Sequence, residues 1–193
     1  MKENPRFHVI ELEQRTNAWR EWRHNGVGAS DAPIIMGENP WKDELGLLSF
    51  KQGPACDPGR NAAMNFGEEC ESDALGSYIQ KTGVSVAPLC LESKERPWMR
   101  ASLDGISTDH SVVVEIKCGL SIYSKVSQYK MVPMYYHGQL QHILALTGLP
   151  SLDFWCYLPN RPGVLIKIRR DDSYIKRLLA AETEFWKRVQ EGR

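Results

Sequence analysis

Apolar and polar positions along this chain follow two different periods, and the switches between them lay out the predicted elements. From Asn61 to Lys81, Ala63, Phe66, Cys70, Ala74, Leu75, Tyr78 and Ile79 recur near the 3.6-residue period. This predicts a long helix, with Gly83 just beyond its end. Tyr174, Leu178, Ala181, Phe185 and Val189 form a second stripe and predict an amphipathic helix from Asp171 to Gln190. A further helix is expected from about Pro133 to Thr147, closed by Gly148. Between these lie short β-branched or apolar runs bounded by turn formers: Val84 to Leu91, Trp98 to Ala101 and Ser111 to Cys118. Leu152 to Leu158 and Val164 to Arg169 add two strands split by the turn PNRPG, and Asp104-Gly105 reads as a turn or bulge. Near the start, Thr16 predicts the N-cap of a short helix through Trp19, Trp22 and Arg23. The GVGAS turn at Gly26 to Ser30 ends that helix, and Ser30 is expected to cap another starting at Asp31. The order of elements predicts an α/β fold, one sheet with helices on both sides.

Composition narrows the picture. With 193 residues, 42% hydrophobic and 25% charged, the chain reads as one domain over 1–193 with a real core, neither disordered nor a membrane bundle. The loop-like GPACDPGR, Gly53 to Arg60, sets off a helical N-terminal element, 1–53. No apolar run approaches the ~20 residues that cross a bilayer, and the opening MKENPRFHVIELEQ lacks an apolar signal-peptide core. Five cysteines, odd in number and without a CxxC pair, point to a reducing cytoplasm with neither a disulfide framework nor a zinc site. Balanced charge, 24 Lys and Arg against 24 Asp and Glu, excludes a protein that coats nucleic acid by bulk charge. It leaves room for a DNA enzyme with a local basic face.

Candidate chemistry concentrates in SLDGISTDHSVVVEIK, Ser102 to Lys117. Glu115 and Lys117 lie two apart on a predicted strand and so project from one face. Val113, Val114 and Ile116 make the run look buried, where a charged pair costs several kcal/mol unless compensated. A divalent cation would compensate it: Asp104 and Glu115 are oxygen donors that suit Mg²⁺. Lys117 could then orient an attacking water or stabilise developing phosphate charge. The competing reading, an exposed Glu–Lys pair on an edge strand worth under about 1 kcal/mol, is left open by spacing alone.

The D-x10-E-x-K pattern resembles the PD-(D/E)XK nuclease signature, with Leu103 in the proline position. Five ordered blocks, WREWRHNGVGASDAPIIMGENPW, MNFGEECESDA, SLDG, VVVEIKC and YYHGQLQ, resemble the YqaJ-type viral recombinase family, to which phage λ exonuclease belongs. The resemblance implies a restriction-endonuclease-like core with a central mixed β-sheet flanked by helices on both sides. It implies a Mg²⁺-dependent 5′-to-3′ exonuclease that degrades one strand of linear duplex DNA to nucleotides and leaves a 3′ tail for strand annealing. Asp104, Glu115 and the Ile116 carbonyl would bind Mg²⁺, and Glu71 would be a helix-borne acid near a second ion, with Glu68 as the fallback on the same face. Mn²⁺ would substitute, and Lys117 would be the catalytic lysine. Arg23, Ser30, Ser102 and Gln139 match the family's pocket for a terminal 5′-phosphate. Tyr136 lies on the Gln139 side beside the nucleotide; Gln141, two further on, is the weaker match. Trp41 is the tryptophan expected to touch unstacked bases. A further aspartate of the family has no counterpart, Lys94 standing nearest its place between Glu92 and Glu95. The implied partners are duplex DNA ends, two more copies in a homotrimeric ring with Lys42, Lys51, Arg60 and Lys125 as candidate lining, and a single-strand annealing protein. The rival readings are a structure-specific or single-strand nuclease on the same fold, or a catalytically degenerate DNA-binding module.

Other features read as structural. Trp19, Trp22, Trp155 and Trp186 sit in periodic runs and are expected in the core, as is Cys118. His137 and His142, five apart, have poor metal spacing and are expected at polar helix positions.

Overall fold

A computed structural model describes residues 6–55 and 62–192. The elements run β1 (Phe7–Ile10), α1 (Asn17–His24), β2 (Val27–Gly28), α2 (Ala32–Ile35), α3 (Glu44–Gln52), α4 (Ala62–Thr82), β3 (Val86–Ser93), β4 (Met99–Ser107) and β5 (Val113–Cys118). They continue α5 (Leu120–Tyr129), a 3-10 turn (Met134–Tyr136), α6 (His137–Thr147), β6 (Ser151–Tyr157), β7 (Val164–Arg169) and α7 (Asp172–Glu191).

One sheet has the order β1-β3-β4-β5-β6-β7, with β2 paired parallel to β4 off this path. Along this path the pairs are antiparallel except β5 with β6, where Val114 faces Asp153 and Cys118 faces Tyr157 in parallel. A parallel pair needs a long crossover, and α5 and α6 supply it. On one face of the sheet, Ala74 and Tyr78 of α4 pack against Val86, Val114, Ile116 and Trp155. On the other, Ile122 and Val126 of α5 and Leu140, Ile143 and Leu144 of α6 meet Leu103, Val113, Phe154 and Cys156. Each Val, Leu, Ile or Phe among these, fully buried, stabilises the fold by about 1.5–3 kcal/mol. Phe185, Trp186 and Val189 of α7 close a third cluster over Val27, Ile34, Ile35 and Leu47. Helices thus cover both faces of a mixed, mostly antiparallel sheet, as the order of elements predicts. Among the described residues no helix is long and apolar enough to cross a membrane, and Cys70, Cys90, Cys118 and Cys156 are free thiols.

The long periodic elements and the last two strands fall close to their predicted bounds, while several local expectations do not hold. Asp104 is not at a turn. It lies inside β4, and the reversal comes after Ser107, where the Ser107 hydroxyl accepts from Ser111 and Val112 N–H and His110 adopts φ 59°. Gly105 serves close packing instead, since a Cβ there would stand 2.8 Å from Val114 Cγ1 and 3.0 Å from Val86 Cγ2. Thr16 caps α1 as expected, accepting from Trp19 N–H, but Ser30 does not cap α2. Asp31 holds that N-cap position, and its carboxylate turns back to the Gly28 N–H instead. The N-terminal element is not purely helical, because β1 joins the sheet edge and β2 pairs with β4. Helices α3 and α5 are absent from the expected elements, although Ile122, Tyr123, Val126 and Tyr129 of α5 fall at helical spacing. In α4, Phe66 is exposed rather than buried. Asn61, the side chain of Ala63 and most of the Gly53–Arg60 loop, with Cys56 and Arg60, lie outside the described residues.

Candidate active site

Two adjacent central strands bring the acid and lysine positions together. Gly105 pairs with Val114 across the antiparallel β4–β5 ladder, and the neighbouring Asp104 accepts the Ile116 N–H through Oδ2 at 2.7 Å. Glu115 is only 2% exposed. Its Oε1 accepts from Lys117 Nζ and from Gln139 Nε2, each at 2.5 Å. The strand is flanked on both sides by others, so the exposed edge-strand reading is excluded. Burial and the neighbouring Glu115 charge push the Asp104 carboxyl up to about 7, against the pull of Lys117, the Ile116 N–H and Arg15. Burial opposes the charge on Lys117, but the Glu115 and Asp104 carboxylates outweigh it and raise its pKa, so the lysine keeps its proton.

This pair of carboxylates fits a hard divalent cation. Glu115 Oε2 is buried without a hydrogen-bond partner, which is costly for an acceptor taken out of water. Carboxylate and carbonyl oxygens are the donors Mg²⁺ selects. Glu71 is the helix-borne acid expected near a second ion. On α4 it pairs with the Arg15 guanidinium, which also lies 3.6 Å from Glu68. Among the described residues no three His, Cys, Asp or Glu side chains form a ready metal-holding group. Glu71 is therefore engaged with an arginine, not gathered with Asp104 and Glu115. Lys94, at the turn after β3, donates its N–H to the Arg6 carbonyl.

A second constellation forms around the GVGAS segment. Arg23 Nη2 donates to Ser30 Oγ at 2.7 Å, and the guanidinium lies over the Trp19 ring, 4.6 Å from its centroid. Trp19 Nε1 in turn donates to Ser102 Oγ at 2.6 Å. Arg23, Ser30 and Ser102 thus meet through Trp19, and Ser102 stands two residues before Asp104 on β4. Gln139 belongs to the Glu115 side instead. Behind Arg23, Lys51 Nζ is buried and donates to Asp31 Oδ2 (2.9 Å) and to the carbonyls of Arg23 (3.0 Å) and Gly26 (2.8 Å). Burial works against the Asp31 charge, but Lys51 and Arg23 lower its pKa below the ordinary value. Gly26 lets β2 approach β4: a Cβ there would stand 2.6 Å from both the Trp98 carbonyl and Arg100 Cδ.

Tyr136 lies under Lys117, whose Nζ is 5.2 Å from its ring centroid. Trp41 is 71% exposed, edge-on to Tyr135, whose ring meets Tyr136.

Other expectations are corrected by packing. Gln141 is fully buried; it donates to the Arg169 carbonyl and accepts the Asp171 N–H, so it ties α6 to the β7–α7 corner rather than facing a ligand. Lys51 is buried and cannot line a channel, whereas Lys42 and Lys125 are exposed. Trp19 and Trp22 are half-buried, with their N–H groups on Ser102 and Glu92, while Trp155 and Trp186 are core. His142 is fully buried between Glu182 and the Arg100 carbonyl, not a solvated helix position. The places of Trp19, Lys51, Asp31, Arg15 and Tyr135 beside the site are not read from the sequence, which assigns Trp19 to the core and Lys51 to a channel lining. Trp19 could have been found, because it lies one helical turn before Arg23 on the same face.

Comparison with known proteins places this geometry. YqaJ of Bacillus subtilis (strain 168) is 29% identical over 180 residues, covering 90% of this chain and 56% of that protein. Protein D345L of African swine fever virus (isolate Tick/South Africa/Pretoriuskop Pr4/1996) is 28% identical over 74% of this chain and 49% of its own. The chain thus spans about half the length of the curated relatives it matches. Among solved structures, the alkaline exonuclease LHK-Exo of Laribacter hongkongensis superposes with a TM-score of 0.79 at 25% identity, over 91% of this chain and 93% of that one. Its complex with dAMP gives 0.80 over the same shares. A phage-related exonuclease from Haemophilus somnus 129PT shares the fold, with a TM-score of 0.65 at 15% identity over 90% and 99%. The core is therefore the PD-(D/E)XK-like fold of phage-type alkaline exonucleases. Residues 18–150, well over half of the sequence, match the YqaJ-like viral recombinase domain, and the chain belongs to that family.

Proposed function

We propose that this chain is a DNA exonuclease that digests one strand of linear duplex from its 5′ end and leaves a 3′ single-stranded tail. The observation that carries the reading is the Asp104–Glu115–Lys117 cluster, built around a buried Glu115 with one unpartnered oxygen, on the fold of an alkaline exonuclease. Asp104, Glu115 and the Ile116 carbonyl would hold Mg²⁺, for which Mn²⁺ substitutes; the chemistry such an ion supplies is Lewis-acid stabilisation of charge on the scissile phosphate. Glu71 would serve a second ion only by exchanging its Arg15 partner. Lys117, kept protonated by the two carboxylates, donates toward the attacking water and the phosphoryl oxygens, where negative charge develops. Gln139 fixes Glu115 in the orientation that leaves Oε2 available. Arg23 and Ser30 grip the terminal 5′-phosphate, the guanidinium in the bidentate manner suited to that group. Trp19 holds Arg23 from behind and locks the Ser102 hydroxyl.

In the same reading three copies close into a ring around the duplex, with exposed Lys42 and Lys125 as candidate lining, and a single-strand annealing protein receives the tail in the cytoplasm. Closed cyclic symmetry would compensate a net charge of zero, which gives one copy little hold on a polyanion.

The test is digestion of linear duplexes with 5′-phosphate or 5′-hydroxyl ends, each strand labelled, with and without Mg²⁺. Release of nucleotides from the 5′-phosphorylated strand only when Mg²⁺ is present is the expected result. Cutting confined to single strands or junctions favours the rival nuclease, and binding without cutting in any divalent cation favours the degenerate module. A light-scattering mass near 22 kDa rules out the ring.

A further inference from the structure

Trp41 is a large aromatic side chain held out of the core by a loop that is itself well bonded. Asn39 Oδ1 accepts from the N–H groups of both Trp41 and Lys42, each at 2.9 Å. The Glu38 and Asn39 N–H groups both donate to the Pro33 carbonyl, at 2.8 and 3.0 Å. The Glu38 carboxylate accepts from the Tyr174 hydroxyl at 2.8 Å. A tryptophan left 71% exposed forgoes most of the gain of burial. A loop so bonded presents it in one place, and presentation without an ordering cost favours a ligand.

From Trp41 an aromatic ladder runs inward to the proposed catalytic lysine. Its ring meets Tyr135 at 4.9 Å between centroids, and Tyr135 meets Tyr136 at 4.7 Å. Tyr136 is anchored on core Phe154 at 5.9 Å. Two cations sit over the same ladder: Lys117 Nζ is 5.2 Å from the Tyr136 centroid, and Lys125 Nζ is 5.8 Å from that of Tyr135. Aromatic faces interleaved with cations suit unpaired nucleotides, whose bases stack while their phosphates lie near the lysines. An apolar peptide would have no use for the two cations.

We propose that Trp41 and Tyr135 form a stacking platform for unpaired nucleobases of the strand that enters the Asp104–Glu115–Lys117 site. This rests on the nuclease reading above. Every base offers a π-face, so the platform takes bases without regard to sequence. It grips the frayed end of a duplex and not its paired interior.

The experiment compares two 5′-phosphorylated duplexes with a short unpaired 5′ end, one with ordinary bases there and one with abasic nucleotides. Trp41→Ala is expected to raise KM about fivefold or more on the ordinary end, with kcat little changed, and to leave KM on the abasic end as it was. Trp41→Phe restores most of the loss, and Tyr135→Leu reproduces part of it. Thermal unfolding of Trp41→Ala is expected to match the parent, since the side chain is exposed. An equal loss on both ends, or no loss on either, overturns the platform while digestion itself stands. A parent protein that digests no DNA end overturns the nuclease reading, and with it this occupant of the platform.

Discussion

Lys51 Nζ lies 2.9 Å from Asp31 Oδ2, and the same ammonium donates to the carbonyls of Arg23 and Gly26. One buried cation therefore ties α3 to the turn that carries Arg23 and Ser30. Removing one partner of a buried pair leaves the other uncompensated, at a cost of about 3–5 kcal/mol. Lys51→Met is expected to lose stability of that order in denaturant titration, and Lys51→Met with Asp31→Asn to recover much of it. The double variant, once folded, is expected to discriminate poorly between 5′-phosphate and 5′-hydroxyl ends, because the turn has lost its tie. Unchanged discrimination would mean that the pair stabilises the fold without positioning the pocket.

Arg23 meets Ser30 directly, and the proposed phosphate takes both groups. Arg23→Ala is expected to slow digestion of 5′-phosphorylated ends by at least tenfold, with much less effect on 5′-hydroxyl ends. The corresponding tenfold is about 1.4 kcal/mol, close to the lower end of the range for hydrogen bonds to charged groups. A preference that survives in Arg23→Ala would place the phosphate elsewhere.

Burial and the Glu115 charge disfavour ionised Asp104 in the metal-free protein. Asp104→Asn is accordingly expected to unfold at the same or a higher temperature than the parent without divalent cations, yet to cut no DNA. Addition of Mg²⁺ is expected to raise the unfolding temperature of the parent and to leave that of Asp104→Asn nearly unmoved. Calorimetry with and without Mg²⁺ reads both effects, independently of activity.

Gly138 marks the closest approach of α6 to α2, where a Cβ would stand 2.9 Å from Pro33 N and 3.0 Å from its Cα. Those are backbone atoms and cannot swing aside. Gly138→Ala is expected to cost about 1–3 kcal/mol through overpacking. It shifts the next residue, Gln139, away from Glu115, so activity should fall more than the loss of folded protein explains. Activity per folded molecule equal to the parent would sink that link.

His142 is a pH-sensitive group of the core. Burial opposes its charge, but the Glu182 carboxylate at 2.6 Å, the Arg100 carbonyl at 3.0 Å and the more distant Asp31 outweigh it and raise its pKa. A histidine raised in the folded state contributes stability fully present below its unfolded pKa of about 6.5, lost as pH rises through the folded value. Denaturant midpoints are expected to fall as pH rises above about 6.5, and Glu182→Gln is expected to flatten that slope. Equal slopes in the two proteins would dismiss the pair as the cause.

Much of the framework was legible because it is local. The period of Cys70, Ala74 and Tyr78 follows from 3.6 residues per turn, and α4 obeys it. The two-residue step from Glu115 to Lys117 places both on one face of any strand, and β5 does so. The Asp104-Gly105 pair misled, because that dipeptide serves a turn in one setting and tight strand packing in another. Only the Val86 and Val114 side chains across the sheet distinguish the two.

The amino-acid sequence by itself determined the spacing of Asp104, Glu115 and Lys117, the caps and periods of the long helices, and the Arg23-to-Ser30 segment. These are properties of residues close in the chain, subject to backbone geometry alone. The tertiary structure decided which polar side chains face a ligand and which face the core. Gln139 reaches Glu115 across 24 positions, and Lys51 reaches Gly26 across 25. Gln141 and His142 are sealed by α7 and the β7–α7 corner, while Gln139, on the same helix, opens toward the site. A helix pattern names the faces but not what lies against them. That depends on how α6 sits between sheet and α7, which is set by the close approach at Gly138 and by the apolar surface buried around it.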